Sequence, residues 1–175
     1  FLHVGTLNEV KDQVSLLLAF SRISKHADAT LRILGEGHLE NSLRSLANEM
    51  SMGDRIEFLG FVPSSQTAKH YQWADILLQA SLHEGGGAIV LEAMTYGVLV
   101  CGTRVGFLSD FEDTIAVAVD VGYYLSLADK ALSLIHYKSR QRLFRQRGRQ
   151  WSSAHDVDWT ARKYSDLYDT QRQIQ

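Results

Sequence analysis

Three observations predict an α/β fold in which helices cover both faces of a mostly parallel sheet of about six strands. Short β-rich runs alternate with amphipathic segments along the first two thirds of the chain, the order that builds strand–helix–strand units. The runs are continuously apolar rather than alternating, as in strands buried on both faces. After residue 122 the strand patterns stop and helical patterns close the chain.

The strands are predicted at Phe1–Val4, Thr30–Leu34, Arg55–Leu59, Ile76–Gln79, Leu99–Gly102 and, more weakly, Ala116–Val119. Between the first two, Val14, Leu17 and Leu18 recur at i, i+3 and i+4 ahead of Ile23, and predict a helix with that stripe in the core. Leu39, Leu43, Leu46, Ala47 and Met50 form a cleaner stripe between the second and third strands. A helix is expected over Ala88–Tyr96, with Gly97 as the residue that ends it in a left-handed conformation. Tyr123–His136, Lys138–Trp151 and Trp159–Gln171 read as three closing helices, the last with Tyr164, Leu167 and Tyr168 on an apolar face.

The composition, 45% hydrophobic and 22% charged, is that of a folded globular chain, and 175 residues suit one domain with a single core. The opening Phe1-Leu2-His3-Val4-Gly5 enters a strand pattern at once, so the expectation is a piece of a longer protein. A net charge of −2 argues against a general nucleic-acid binder. The exception is the run from Lys138 to Arg149, with six basic residues and no acid. It reads as a solvated helix face, or as a contact with an anionic membrane or a partner domain. The lone Cys101, in an apolar strand, fits a reducing compartment, and the expected location is the cytoplasm, peripheral to the membrane's inner face if the basic run binds there.

The chemistry is expected in the loop after the fourth strand, because ligands in open α/β sheets bind at the carboxyl ends of strands. There Ser81-Leu82-His83-Glu84-Gly85-Gly86-Gly87-Ala88 leads into a helix. Three successive glycines remove the Cβ atoms that would keep a ligand away, and the free N–H groups of the helix start suit a phosphate. Glu84 precedes this helix and Glu92 lies about 6 Å inside it, so both carboxylates are expected to line one crevice. Glu92 stands among Ile89, Val90, Leu91, Ala93 and Met94; a carboxylate buried there needs partners, and vicinal hydroxyls of a sugar would serve. Gly35-Glu36-Gly37 lacks the third glycine of a dinucleotide fingerprint, since Glu40 stands in its place. His83-Glu84 does not extend to a zinc motif, because Gly87 occupies the position of the second histidine; no metal and no cofactor are expected.

Glu84, seven intervening residues, then Glu92-Ala93-Met94 and Gly97 resemble the Glu-x7-Glu motif of the group 1 (family 4) retaining glycosyltransferases. Val4-Gly5-Thr6-Leu7-Asn8 with Lys11-Asp12, Ile33-Leu34-Gly35-Glu36-Gly37, Asp54 to Val62, and Trp73-Ala74-Asp75-Ile76 with Ser81 resemble the same family's donor domain; Trp159 and Tyr168 resemble its last helix. The resemblance implies a Rossmann-like donor-binding half of a two-domain GT-B enzyme, spanning residues 1–175, with an N-terminal acceptor domain elsewhere. It implies that Glu84 acts at the donor sugar's hydroxyls and Glu92 holds the ribose. Gly5, Thr6, Gly85, Gly86, Gly87 and Ala88 would meet the sugar and diphosphate, Lys11 would pair with the diphosphate, and the Val62 backbone would meet the base. The implied partner is a nucleotide-diphosphate sugar, transferred to an acceptor hydroxyl with retention of configuration. Thr6 departs from the family's usual arginine, Leu99 from its common proline, Phe107 from a second glycine and Asp110 from a frequent glutamate. The missing arginine keeps a second reading open, a non-catalytic nucleotide-sugar-binding or assembly module; an epimerase or hydrolase on the same architecture is a third.

Overall fold

All six predicted strands form, and they lie side by side in one parallel sheet. The computed structural model describes the backbone of residues 1–172 and the side chains of residues 1–166. The strands are β1 (Leu2–Val4), β2 (Leu31–Leu34), β3 (Ile56–Phe58), β4 (Ile76–Gln79), β5 (Leu99–Thr103) and β6 (Val117–Val119). Their order across the sheet is β3-β2-β1-β4-β5-β6. Leu2 pairs with Arg32 on one side and with Leu77 on the other, so β1 and β4 meet where the strand order reverses. That reversal opens a crevice beyond the carboxyl ends of the two central strands.

The helices are α1 (Gln13–Ser24), α2 (Glu40–Glu49), α3 (Ser64–Trp73), α4 (Ala88–Thr95), α5 (Phe107–Phe111), α6 (Tyr124–His136), α7 (Lys138–Ala154) and α8 (Val157–Arg172). One face of the sheet packs Leu16, Leu17 and Phe20 of α1, Leu43 and Ala47 of α2, and Leu127, Ala128, Ala131 and Leu134 of α6 into a core. The other packs Tyr71 of α3, Val90, Ala93 and Met94 of α4, and Leu108 and Phe111 of α5. α7 serves both, with Phe144 on the first core and Trp151 against the second. Each fully buried leucine in these layers stabilises the fold by about 2–3 kcal/mol.

The buried face of α1 differs from the predicted stripe. Asp12, in a left-handed conformation (φ 44°), caps the helix by accepting from Ser15 N. Rotated this way, α1 buries Gln13, Leu16, Leu17, Phe20 and Ile23, leaving Leu18 half-buried and Val14 45% exposed. The α2 stripe packs as expected through Leu43 and Ala47. α4 ends as expected at Gly97 (φ +70°), where Gly97 N donates to Met94 O and Val98 N to Ala93 O. α3 and α5 lie outside the sequence prediction. Among the described residues of α8, Trp159 is half-buried, while Tyr164 on the predicted apolar face is 60% exposed. The side chains of Leu167 and Tyr168, the rest of that face, lie outside the described residues.

Candidate functional site

Two neighbouring cavities lie at the carboxyl edge of the sheet, beyond β1, β2 and β3. One, of about 350 Å³, is lined by Gly5 and Thr6 after β1, Gly35 and Glu36 after β2, and Phe61 and Val62 after β3. The other, of about 500 Å³, shares Val4, Phe61, Val62 and Thr67 with the first and is closed by Tyr71, Glu92 and Tyr96. Of the predicted site residues, Gly5, Thr6 and Val62 line the first cavity, and Val62 and Glu92 line the second.

Lys11, Glu84 and the glycine loop stand beside these cavities rather than among their lining residues. Lys11 ends a 3-10 turn, Glu9–Lys11, fixed by Asn8 Oδ1, which accepts from Lys11 N at 3.2 Å. Its side-chain carbons pass over Gly5, about 3.5 Å from where a Cβ would stand, and carry the ammonium to Glu84. Glu84 Oε1 accepts three hydrogen bonds, from Lys11 Nζ at 2.5 Å, Gln79 Nε2 at 2.6 Å and Ser81 Oγ at 2.8 Å. Burial alone would raise the Glu84 carboxyl pKa; the Lys11, Ser81 and Gln79 donors outweigh it and hold it below the ordinary carboxylate value. All three donors converge on Oε1, which fixes the carboxylate by one oxygen.

The glycine loop sets the start of α4. Gly87 takes the N-cap position in a left-handed conformation (φ +85°), and no side chain caps the helix. Val90 N already donates to Gly87 O at 2.9 Å, so the amides of Ala88 and Ile89 and the positive end of the helix dipole are what the helix start offers an anion. Gly86 is pinned from behind, its carbonyl accepting from Phe107 N at 2.8 Å.

Beneath the loop after β1 lies a polar pair absent from the sequence prediction. Burial pulls the His3 pKa down to about 4 and keeps the ring neutral. His3 Nδ1 lies 3.2 Å from Leu78 O, and Gln13 Nε2 lies 3.3 Å from His3 Nε2. These contacts place the proton on Nδ1, where it donates to the carbonyl, and leave Nε2 to accept. Gln13 Nε2 also donates to Thr6 O at 2.9 Å, so the pair props up the loop that lines the crevice. Burial likewise pushes the Cys101 thiol up to about 12, which makes it an inert packing residue.

Glu92 corrects the expectation of a buried carboxylate. α4 buries Val90, Ala93 and Met94, and Glu92 points across the helix to the exposed side. Its Oε2 accepts from Tyr71 Oη at 2.8 Å. Tyr71 and Gln79 are the site residues that sequence reasoning missed; the one available signal was a glutamine closing an otherwise apolar strand.

Much of the basic run on α7 folds back on the domain. Arg145 donates to Gly97 O at 2.5 Å, and Arg149 donates to Tyr96 O at 3.3 Å, so both guanidinium groups hold the turn that follows α4. Arg140 pairs with Asp113, and Arg147 donates to Thr114 O. Among the described residues no helix is long and apolar enough to cross a membrane, and no three His, Cys, Asp or Glu side chains form a metal-binding group.

A six-stranded parallel sheet whose strand order reverses between β1 and β4, with helices on both faces, defines a Rossmann-like α/β/α domain. The chain belongs to the glycosyl transferases of group 1, whose family model matches residues 1–151. It is 30% identical over 152 residues to an N-acetyl-alpha-D-glucosaminyl L-malate synthase of Bacillus anthracis, covering 85% of this chain but only 39% of that relative's length. Among solved structures, HepE of Anabaena in complex with UDP and glucose superposes with a TM-score of 0.86 at 17% identity, over 97% of this chain and 47% of that one. The C-terminal domain of a group 1 glycosyl transferase (LpcC) from Francisella tularensis gives 0.78 at 23% identity, over 87% and 84% of the two chains.

Proposed function

We propose that the chain is the donor-binding half of a retaining glycosyltransferase and takes a nucleoside diphosphate sugar as its ligand. The observation that carries this reading is Glu84, held through Oε1 by Lys11, Gln79 and Ser81 beside the uncapped start of α4. In this arrangement the diphosphate lies at the helix start and draws on Lys11, and both offset the charge that develops on it as the leaving group. Glu84 turns Oε2 to the sugar hydroxyls and orients the ring. Glu92 accepts from the ribose hydroxyls, and the base enters between Phe61 and Val62. The acceptor pocket belongs to another domain of the parent protein, so the chain alone binds donor and transfers little.

The test is calorimetric titration with UDP, GDP, ADP, dTDP and their sugars. UDP heads the panel because it is the nucleotide in the HepE complex. Saturable binding of one member, weakened in Glu92→Ala with the fold intact, is the expected result; unchanged affinity in that variant defeats the ribose role. Thr6 favours a second reading, a binding or assembly module without transfer, because one phosphate cation of the family is replaced by a neutral side chain. Donor binding by the full-length parent without sugar transfer would establish that reading.

A further inference from the structure

Tyr71 is buried to 1% exposure on α3, yet its hydroxyl reaches the exposed side of α4 and donates to Glu92 Oε2 at 2.8 Å. Packing alone does not call for that hydroxyl. The Tyr71 ring lies parallel to Tyr96, centroids 5.5 Å apart and planes 1° from each other, and a phenylalanine would fill the same volume. A buried hydroxyl is costly unless it is hydrogen-bonded, and this one is directed at a carboxylate. Burial first, then the bond to Glu92 and its charge, raise the phenol pKa far above its ordinary value, so the group stays a donor at every working pH.

Glu92 needs such a partner. On an exposed helix face a glutamate samples several rotamers, and ordering it for a ligand costs entropy. The bond from Tyr71 engages Oε2, and both residues line the same cavity of about 500 Å³ with Val62, Thr67 and Tyr96. A planar carboxylate anchored by one oxygen presents the other in a set direction, which is what a vicinal diol requires.

We propose that Tyr71 is a positioning residue for ribose recognition: its hydroxyl fixes Glu92 Oε2 so that Oε1 accepts from the ribose hydroxyls of the donor nucleotide. The assignment rests on the reading of Glu92 as the ribose-binding carboxylate. It makes the third helix, and not only the glutamate motif, part of donor selectivity for ribose over deoxyribose.

The experiment compares wild type, Tyr71→Phe, Glu92→Gln and the double variant by calorimetric titration. The probes are UDP, GDP and ADP and the 2′,3′-dideoxy counterpart of whichever binds. Tyr71→Phe should weaken ribonucleotide binding about tenfold, change dideoxynucleotide binding less than about twofold, and add nothing to Glu92→Gln. Equal weakening toward both nucleotides would make Tyr71 a structural residue and overturn the proposal. Unchanged ribonucleotide binding in Tyr71→Phe, alongside a loss in Glu92→Gln, would overturn it while leaving the ribose reading intact. No effect of Glu92→Gln, or no binding by wild type, would remove the ribose reading and the proposal with it.

Discussion

Replacing Glu84 by glutamine keeps the shape of the side chain and removes one negative charge from beside Lys11. In the native protein Lys11 and Glu84 are 22% and 10% exposed and 2.5 Å apart, so water screens the pair weakly. A hydrogen bond between charged groups is worth about 1.5–3 kcal/mol, and the amide oxygen still accepts from Gln79 and Ser81. The domain should lose about 1–2 kcal/mol, a fall of roughly 2–8 °C in melting temperature for a chain of this size. Binding of a free nucleoside diphosphate should change in the opposite direction. Lys11 is no longer shared, and the phosphates no longer approach a carboxylate. The gain cannot exceed the strength of the pair, and about tenfold tighter binding is expected. The sugar-bearing donor gains less, because its hydroxyls lose a charged acceptor. Titration of both proteins with one nucleoside diphosphate and its sugar, alongside scanning calorimetry, measures all three quantities. Weaker diphosphate binding in the glutamine variant at unchanged melting temperature would refute the reasoning, since the ion pair would then order the site rather than compete for it.

Three further outcomes are expected. His3, with a folded pKa of about 4 against 6.5, makes the unfolded chain the better proton acceptor between those values. Its contribution is therefore complete above pH 6.5 and declines by about 3 kcal/mol as pH falls to 4; chemical denaturation across that range should show the loss, and His3→Gln should flatten it. Arg145→Ala removes the donors to Gly97 O and to Asp75 and should lower stability by about 1–2 kcal/mol, read as a shift in denaturation midpoint; a change under 0.3 kcal/mol would show that water replaces the guanidinium. Thr6→Arg restores the second cation at the crevice and should tighten diphosphate binding several-fold at low salt, an effect that added salt reduces. Unchanged or weaker binding would count against this loop as the phosphate site.

The strands were legible because a sheet buried on both faces leaves unbroken apolar runs, and β4, Ile76–Gln79, matches its predicted limits. Their order was not, since a short apolar run carries no record of its neighbour. α3 escaped notice because Ser64–Trp73 buries only His70 and Tyr71 and so shows no stripe. α5, Phe107–Phe111, is too short for a period to develop. For Glu92, sequence neighbours were mistaken for spatial ones: adjacent residues on a helix point about 100° apart, and the apolar side chains around it face the core while it does not. Each carboxylate also has one partner far away along the chain. Lys11 reaches Glu84 across 73 residues and Tyr71 reaches Glu92 across 21, distances at which only the fold decides who meets.

The two ends of α4 are treated unequally. Its eight residues span about 12 Å, with no side-chain cap at Gly87 and with the guanidinium groups of Arg145 and Arg149 at the turn after its carbonyl end. Cations beside the carbonyl end offset part of the negative end of the helix dipole. These cations come from residues about fifty positions further along the chain. On the proposed placement of the diphosphate at the start of α4, replacing Arg145 or Arg149 should weaken diphosphate binding while every proposed contact residue stays the same.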